Sequence, residues 1–157
     1  MDAPEHASPE HLQRIRDAVQ SQGFMKLLQV AVHDIAPGHF ALRVARRPEL
    51  LQHAGLFHGG LIATLIDNAT TAAAATVARP GWTVLTAEYK LNILSPGTGE
   101  QLICRADVVK PGRMLTVVEG RVFSTETNGS DEKLIATALA SIANLAPERN
   151  RNESQVA

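Results

Sequence analysis

Residues 52–78 constrain the fold more than any other part of the chain. The stretch opens Gln52-His53-Ala54-Gly55-Leu56-Phe57-His58-Gly59-Gly60. It continues as an apolar, alanine-rich segment from Leu61 to Ala78, with Asp67 its only acidic residue and Arg79 closing it. Leu61, Leu65, Asn68 and Ala72 recur at helical spacing, as do Ile62, Ile66 and Ala69. A segment of that length makes about five turns, roughly 28 Å of helix. Its apolar positions cover more than one face, so the spacing predicts a central buried helix that other elements must surround. One carboxylate inside such a helix needs a reason to be there.

What surrounds it follows from the rest of the chain. Ser8 with Pro9 reads as a helix start. Leu12, Ile15 and Val19 form its stripe, and Gly23 is the expected stop. Lys26–Ile35 alternates loosely, with Leu28, Val30 and Val32 on one side. After the Pro37-Gly38 turn, Phe40, Leu42 and Val44 point one way, which predicts a hairpin. Beyond Arg79-Pro80-Gly81, four strands follow at 82–94, 101–109, 114–123 and 134–142, joined by short turns and by a polar tip at 127–131. On the first of these, Leu85, Ala87, Tyr89, Leu91 and Ile93 share a face, opposite Thr86, Glu88, Lys90 and Asn92. Successive strands with short turns predict an antiparallel sheet curled around the long helix, an α+β fold. One domain, 9–146, is expected, with flexible ends at 1–8 and 147–157. Strands apolar on both faces, such as 114–123, call for self-association.

Charge narrows the class of function. Fifteen basic residues against sixteen acidic ones give a net charge of -1, which is no footprint for nucleic acid. The central segment carries threonines, Asp67 and Asn68 and makes a poor membrane span. With a single cysteine, Cys104, no disulfide framework exists, and a cytoplasmic setting without membrane attachment is expected. Cys104 on an alternating strand reads as a buried, inert thiol. His53, His58 and Asp67 lack the spacing of metal ligands, so no metal and no cofactor is expected.

Gln52, Gly55, His58, Gly59, Gly60 and Asp67 at these spacings, with Ser95-Pro96 and Val109-Lys110-Pro111-Gly112-Arg113 downstream, resemble the hotdog-fold acyl-CoA thioesterases, and among them the phenylacetate-pathway-type branch. The resemblance spans about residues 10–145. It implies an antiparallel sheet wrapped around a long helix, and a homodimer, often a homotetramer, with active sites at the dimer interface. It implies metal-free hydrolysis of an acyl-CoA. Asp67 would be base or nucleophile, and the Gly60 N–H would polarise the thioester carbonyl. His58 would orient the loop or lie near the thioester, and Thr86 would help to hold the attacking water. Gln52 stands where many relatives place asparagine, keeping the amide with one more methylene. Gly59 would leave the helix start open, Leu56, Phe57 and Leu61 would line the acyl pocket, and Lys110 and Arg113 would meet the coenzyme A phosphates, with Lys90 and Arg105 as further candidates.

Physical chemistry runs the same way. Thioester hydrolysis needs a base or nucleophile and a stabiliser for developing negative charge. A helix N-terminus offers unpaired N–H groups and a favourable dipole, and Gly59-Gly60 leaves them uncovered. Nine residues separate His58 from Asp67, about 13 Å along one helix, so the two do not easily touch within one chain, and a composite site across a two-fold interface resolves this. The structural alternatives are an Asp67 that satisfies polar groups at a subunit contact and glycines that merely permit a tight turn. At the level of function, the alternatives are a non-enzymatic acyl-CoA sensor and a hotdog-fold dehydratase or hydratase.

Overall fold

The computed structural model describes residues 8–126 and 131–147. Apart from Ser8 and Pro147, the ends expected to be flexible lie outside these residues. So does the 127–131 tip except Asp131.

Helix α1 (Pro9–Ser21) starts as its sequence predicts: Ser8 is the N-cap, its side chain accepts from the His11 N–H, and Pro9 sits in the first turn. Gly23 does not end the helical region. Gln22 breaks the helix with extended dihedrals, and Gly23 opens a second short helix, α2 (Gly23–Leu28). The expected strand from Lys26 therefore begins only at Ala31. Met25 and Leu28 lie one turn apart, and a helical turn packs both on the core (Met25 is 1% exposed). Leu28 also falls in step with Val30 and Val32 at strand spacing, and a short run cannot choose between the two periods.

Strands β1 (Ala31–Ala36) and β2 (His39–Ala45) form the predicted hairpin. A single 3-10 turn (Pro48–Leu50) leads to the loop before α3 (Gly59–Ala75), which starts two residues earlier and ends three residues earlier than the apolar run suggests. Then come β3 (Thr83–Ile93), β4 (Gln101–Lys110), β5 (Leu115–Thr125) and β6 (Lys133–Leu145). All six strands form one antiparallel sheet in the order β1-β2-β4-β5-β6-β3. Helix α3 packs against β2 through β6, as the expected sheet-wrapped helix requires. Leu65, Ile66, Leu42, Leu102 and Ile142 are fully buried between them, each contributing about 1.5–3 kcal/mol of hydrophobic stabilisation. Close approach is enforced at Gly120 of β5, where an added Cβ would lie 2.8 Å from Ile66 Cδ1 and 3.2 Å from Thr70 Cγ2.

Strand β3 departs from simple alternation. Its pairing with β6 steps from Thr86↔Ile142 to Glu88↔Ser141, leaving Ala87 as a bulge residue. An extra residue reverses which side chains face the core. Val84 and Thr86 turn inward before the bulge, and Tyr89 and Leu91 after it, while Leu85 points out and is 55% exposed. The expected common face of Leu85 with Tyr89 and Leu91 is thus broken, and Thr86 moves to the helix side. The two sheet edges also differ. Helix α1 lies against β1, whereas no described strand pairs with the outer edge of β3.

Candidate active site

Asp67 lies midway along α3, half-buried, and Thr86 Oγ1 donates to its Oδ1 at 2.6 Å. Thr71, one turn further along the helix, is 2.6 Å from the same hydroxyl. The single hydrogen of Thr86 goes to the carboxylate, so Thr71 must donate to Thr86. The chain Thr71 → Thr86 → Asp67 fixes one carboxylate oxygen and leaves one lone pair on Thr86 free. Charge-assisted bonds of this kind are roughly twice as strong as neutral ones. Thr71 was not singled out from sequence, although its position four residues after Asp67 places it on the same helix face.

At the start of α3, His58 is the N-cap. Its Nδ1 accepts from the Gly60 N–H at 2.9 Å, and its carbonyl accepts from Leu61 and Ile62. This requires the tautomer with hydrogen on Nε2. The Gly60 amide is therefore not bare: it is held by the His58 ring. The first amide of the helix, Gly59 N–H, has no acceptor among the described residues.

The preceding loop is rigidly built. Leu51 pairs with Phe57, Gln52 N–H donates to Leu56 O, and Gly55 N–H donates to Gln52 O. Phe57 and His58 are fixed through Gly97 O and Leu50 O. Arg46 ties this loop to the β3–β4 turn: it donates to Thr98 O, Gly99 O and Gly55 O, and its guanidinium lies 5.5 Å from the Phe57 ring centroid. No sequence pattern marks Arg46 for this role. Gln52 Oε1 accepts from Ala54 N–H at 3.2 Å, so its carbonyl is turned into its own loop.

Two open clefts flank the helix start. One, about 360 Å³, is lined by Gln52, Leu56, Gly59, Ile62, Ile93 and Pro96. The other, about 330 Å³, is lined by Phe24, Leu28, His58, Gly60, Leu61 and Thr64. Of the three residues expected in one acyl pocket, Leu56 and Phe57 border the first cleft and Leu61 the second, and Phe57 belongs mainly to the core at 3% exposure. The β3 terminus closes on the helix start: Ile93 Cδ1 stands 3.4 Å from where a Gly59 Cβ would be.

The basic candidates separate. Lys110 and Arg113 are exposed, and Arg113 lines a third cleft at the opposite end of α3, with Arg79 and Trp82. Arg105 is committed elsewhere: it makes paired bonds of 2.8 and 2.6 Å to Glu132 and stacks 4.8 Å from the Phe123 ring. Lys90 is exposed on β3. Cys104 is fully buried, and burial pushes its thiol far up from the ordinary range. Among the described residues, no three His, Cys, Asp or Glu side chains cluster to hold a metal ion, and no helix is long and apolar enough to cross a membrane.

Residues 54–130 match the thioesterase superfamily. The human protein acyl-coenzyme A thioesterase 13 is 30% identical over 126 residues, 78% of this chain and 85% of the relative. A thioesterase family protein from Silicibacter pomeroyi is 34% identical and superimposes with a TM-score of 0.82, covering 87% of this chain and 99% of that one. The Escherichia coli PaaI protein from the phenylacetic acid degradation operon has the same fold, with a TM-score of 0.77 at 17% identity over 89% of this chain and 96% of its own.

Proposed function

Since the chain belongs to the thioesterase superfamily and has its α+β hotdog fold, we propose that it is an acyl-CoA thioesterase whose active site is shared between two copies. The observation that carries this reading is the outer edge of β3, an eleven-residue strand that no described strand pairs on that side. A free edge of that length invites pairing with another strand. Two-fold antiparallel pairing of β3 with its copy sets the Ile93 end of each strand beside the Thr83–Thr86 start of the other. Asp67 is bonded to Thr86, and Gly59 lies against Ile93. The pairing therefore carries one copy's Gly59-Gly60 to the other's Asp67. Within one copy, eight helical residues keep Gly59 and Asp67 about 12 Å apart.

The chemistry then has defined parts. A water molecule directs one hydrogen to Asp67 Oδ2 and the other to the free lone pair of Thr86, so its own lone pair faces the thioester carbon. Asp67 takes a proton as the oxygen–carbon bond forms. Negative charge grows on the former carbonyl oxygen, where the N–H groups of the partner's helix start meet it. The carbonyl oxygen replaces His58 Nδ1 as acceptor for Gly60 N–H, so His58 holds that amide outward until substrate arrives. Collapse breaks the carbon–sulfur bond, and the proton returns from Asp67 to the departing coenzyme A thiolate. Gln52 and Leu56 border the acyl portion, Phe57 and Leu61 back the loop, and Lys110 and Arg113 serve the phosphates. Exposed Leu85, Leu115, Leu139 and Leu145 on the outer face of β3, β5 and β6 supply an apolar surface for two dimers to form a tetramer.

Free thiol release from aryl, short, medium and long acyl-CoAs tests the reading. Turnover that Asp67→Asn and Asp67→Ala largely remove, with folding and oligomeric state intact, supports it. Tight acyl-CoA binding with no thiol release makes the protein a sensor instead.

A further inference from the structure

We propose that charge fixes the register in which β3 pairs with a second copy of this chain, with each copy's Glu88 opposite the partner's Lys90. The inference deepens the shared-site reading above and rests on it for the choice of β3 as the joining edge.

The faces of the strand limit the choice. Side chains opposite one another in an antiparallel pair lie on the same face. On β3 the inward residues are Val84 and Thr86 before the bulge, and Tyr89, Leu91 and Ile93 after it. Leu85, Glu88, Lys90 and Asn92 face outward. When two copies pair about a two-fold axis, the residue on the axis meets itself. Its neighbours then meet at equal distances on either side. Inward residues must oppose inward ones, and Ile93 must come near the start of the other strand. Those two conditions leave three positions for the axis: Glu88, Tyr89 or Lys90.

Charge decides among them. An axis on Glu88 sets two carboxylates opposite each other, and an axis on Lys90 sets two ammonium groups. Like charges directly opposite are destabilising, and unlike charges stabilise the pair. With the axis on Tyr89, Glu88 meets the partner's Lys90 and Lys90 meets the partner's Glu88. Across the bulge, Thr86 then meets the partner's Leu91, and Val84 meets the partner's Ile93. Since Thr86 is bonded to Asp67 and Ile93 lies against Gly59, this register also brings the two halves of the shared site together.

Both side chains suit this pairing. They are exposed, and neither forms an ion pair among the described residues. Ser141 Oγ, directly across on β6, donates to Glu88 Oε1 at 2.7 Å, which leaves Oε2 for an ammonium group. Lys90 stands opposite the half-exposed Leu139, an apolar bed for its stem. Glu119 lies beyond Leu139 on β5, two strand spacings or about 10 Å from Lys90, and beside Arg121 at 3.8 Å. Thr83–Ile93 holds no proline, so each outward N–H of the edge can donate. Charges on an edge strand discourage pairing with foreign strands. A glutamate and a lysine two positions apart admit a copy of the same edge and oppose edges of other charge pattern.

Sedimentation equilibrium of the full chain tests the register through the dimer dissociation constant. The samples are the wild type, Glu88→Lys, Lys90→Glu, the double variant, and an equal mixture of the two single variants. Thiol release from a panel of acyl-CoAs is followed on the same samples. Each single variant sets like charges opposite each other twice, so its dissociation constant should rise about tenfold or more. Its specific activity should then fall on dilution. The double variant restores both pairs and should assemble as the wild type does. The mixture should do so as well, because one copy then carries two lysines and the other two glutamates. Added salt should weaken the wild-type dimer and strengthen the dimers of the single variants. An axis on Glu88 predicts no change in Lys90→Glu, and an axis on Lys90 predicts none in Glu88→Lys; either result would overturn the proposal. A mixture that assembles no better than its components would do the same, since the charges would then act within one copy. Wild-type assembly and turnover in both single variants would overturn the register and leave the thioesterase reading standing. Charge-dependent assembly with recovery in the mixture, but no thiol release from any acyl-CoA, would support the register and remove the thioesterase reading.

Discussion

Gly120→Ala tests how tightly the sheet grips the central helix, and the outcome can be worked out beforehand. The new methyl would lie 2.8 Å from Ile66 Cδ1 and 3.2 Å from Thr70 Cγ2. Both neighbours are fully buried, so neither side chain can swing away freely. Overpacking of this kind costs about 1–3 kcal/mol. Replacing a strand glycine by alanine returns about 0.5–1 kcal/mol. The net expectation is a loss of about 1–2 kcal/mol. Ile66→Val removes the methyl that collides, and alone it should cost about 0.5–1.5 kcal/mol. The double variant should therefore be more stable than the sum of the single effects by about 1 kcal/mol, a coupling of the kind neighbours show. Urea unfolding at one fixed protomer concentration measures all four proteins, since association shifts apparent stability. Single effects that add to within about 0.3 kcal/mol would refute the argument that this contact sets the helix position. The helix carries Asp67 next to Ile66, so Gly120→Ala should also reduce turnover, and Ile66→Val should restore part of it.

Four further outcomes follow from the site and the charges. Gly60→Pro removes one amide hydrogen from a first-turn position, where proline is tolerated. It should lower kcat by about 10²–10³, the usual effect of losing an oxyanion donor, with circular dichroism unchanged. Asp67→Asn and Gly60→Pro proteins, each nearly inactive, should regain about a quarter of wild-type sites when unfolded, mixed and refolded, because half of the dimers then own one intact composite site; no recovery would place the whole site in one copy. Single-turnover hydrolysis in ¹⁸O-water should label the carboxylic product and not Asp67, and label in Asp67 would show direct attack by the carboxylate. Finally, partial burial pushes Asp107 up, but hydrogen bonds from His39 (2.7 Å) and Arg121 (3.0 Å) outweigh it and hold the carboxyl below its ordinary range, as the Arg105 hydrogen bond does for Glu132. Both groups stabilise the fold above the unfolded carboxylate range near pH 4. That contribution is lost as pH falls through the depressed folded values, so Asp107→Asn should flatten the acid limb of a stability–pH curve.

The parts of this fold legible in the sequence are those with one repeated signal. The apolar run from Leu61 marks α3, because only a surrounded helix can be apolar on several faces, and Pro37-Gly38 marks the first hairpin. The sequence misleads where two geometries satisfy the same residues. Leu28 reaches the core in step with Met25 in a helix and in step with Val30 and Val32 in a strand, so α2 is hidden. In β3 the error comes from one residue. Alternation carries Thr86 to the outer face with Glu88, Lys90 and Asn92, and the bulge at Ala87 turns it inward. Nothing in the local composition announces this, because the bulge answers pairing with β6 and closure around α3.

That single irregularity connects the fold to the chemistry. With regular pairing, β3 would present either Val84 and Thr86 or Tyr89 and Leu91 to the helix, never both sets. The bulge lets Tyr89 and Leu91 reach the core while Thr86 reaches Asp67 at 2.6 Å. It follows that the hydroxyl aimed by the bulge can be tested apart from packing. Thr86→Val removes the hydroxyl and leaves the strand register alone. A charge-assisted bond of this type contributes about 1.5–3 kcal/mol, so thiol release should fall at least tenfold in a variant that still assembles and keeps its β3 amide exchange. Thr86→Ser, which keeps the hydroxyl, should retain most of the activity. Full activity in Thr86→Val would sever the link between this irregularity and the site.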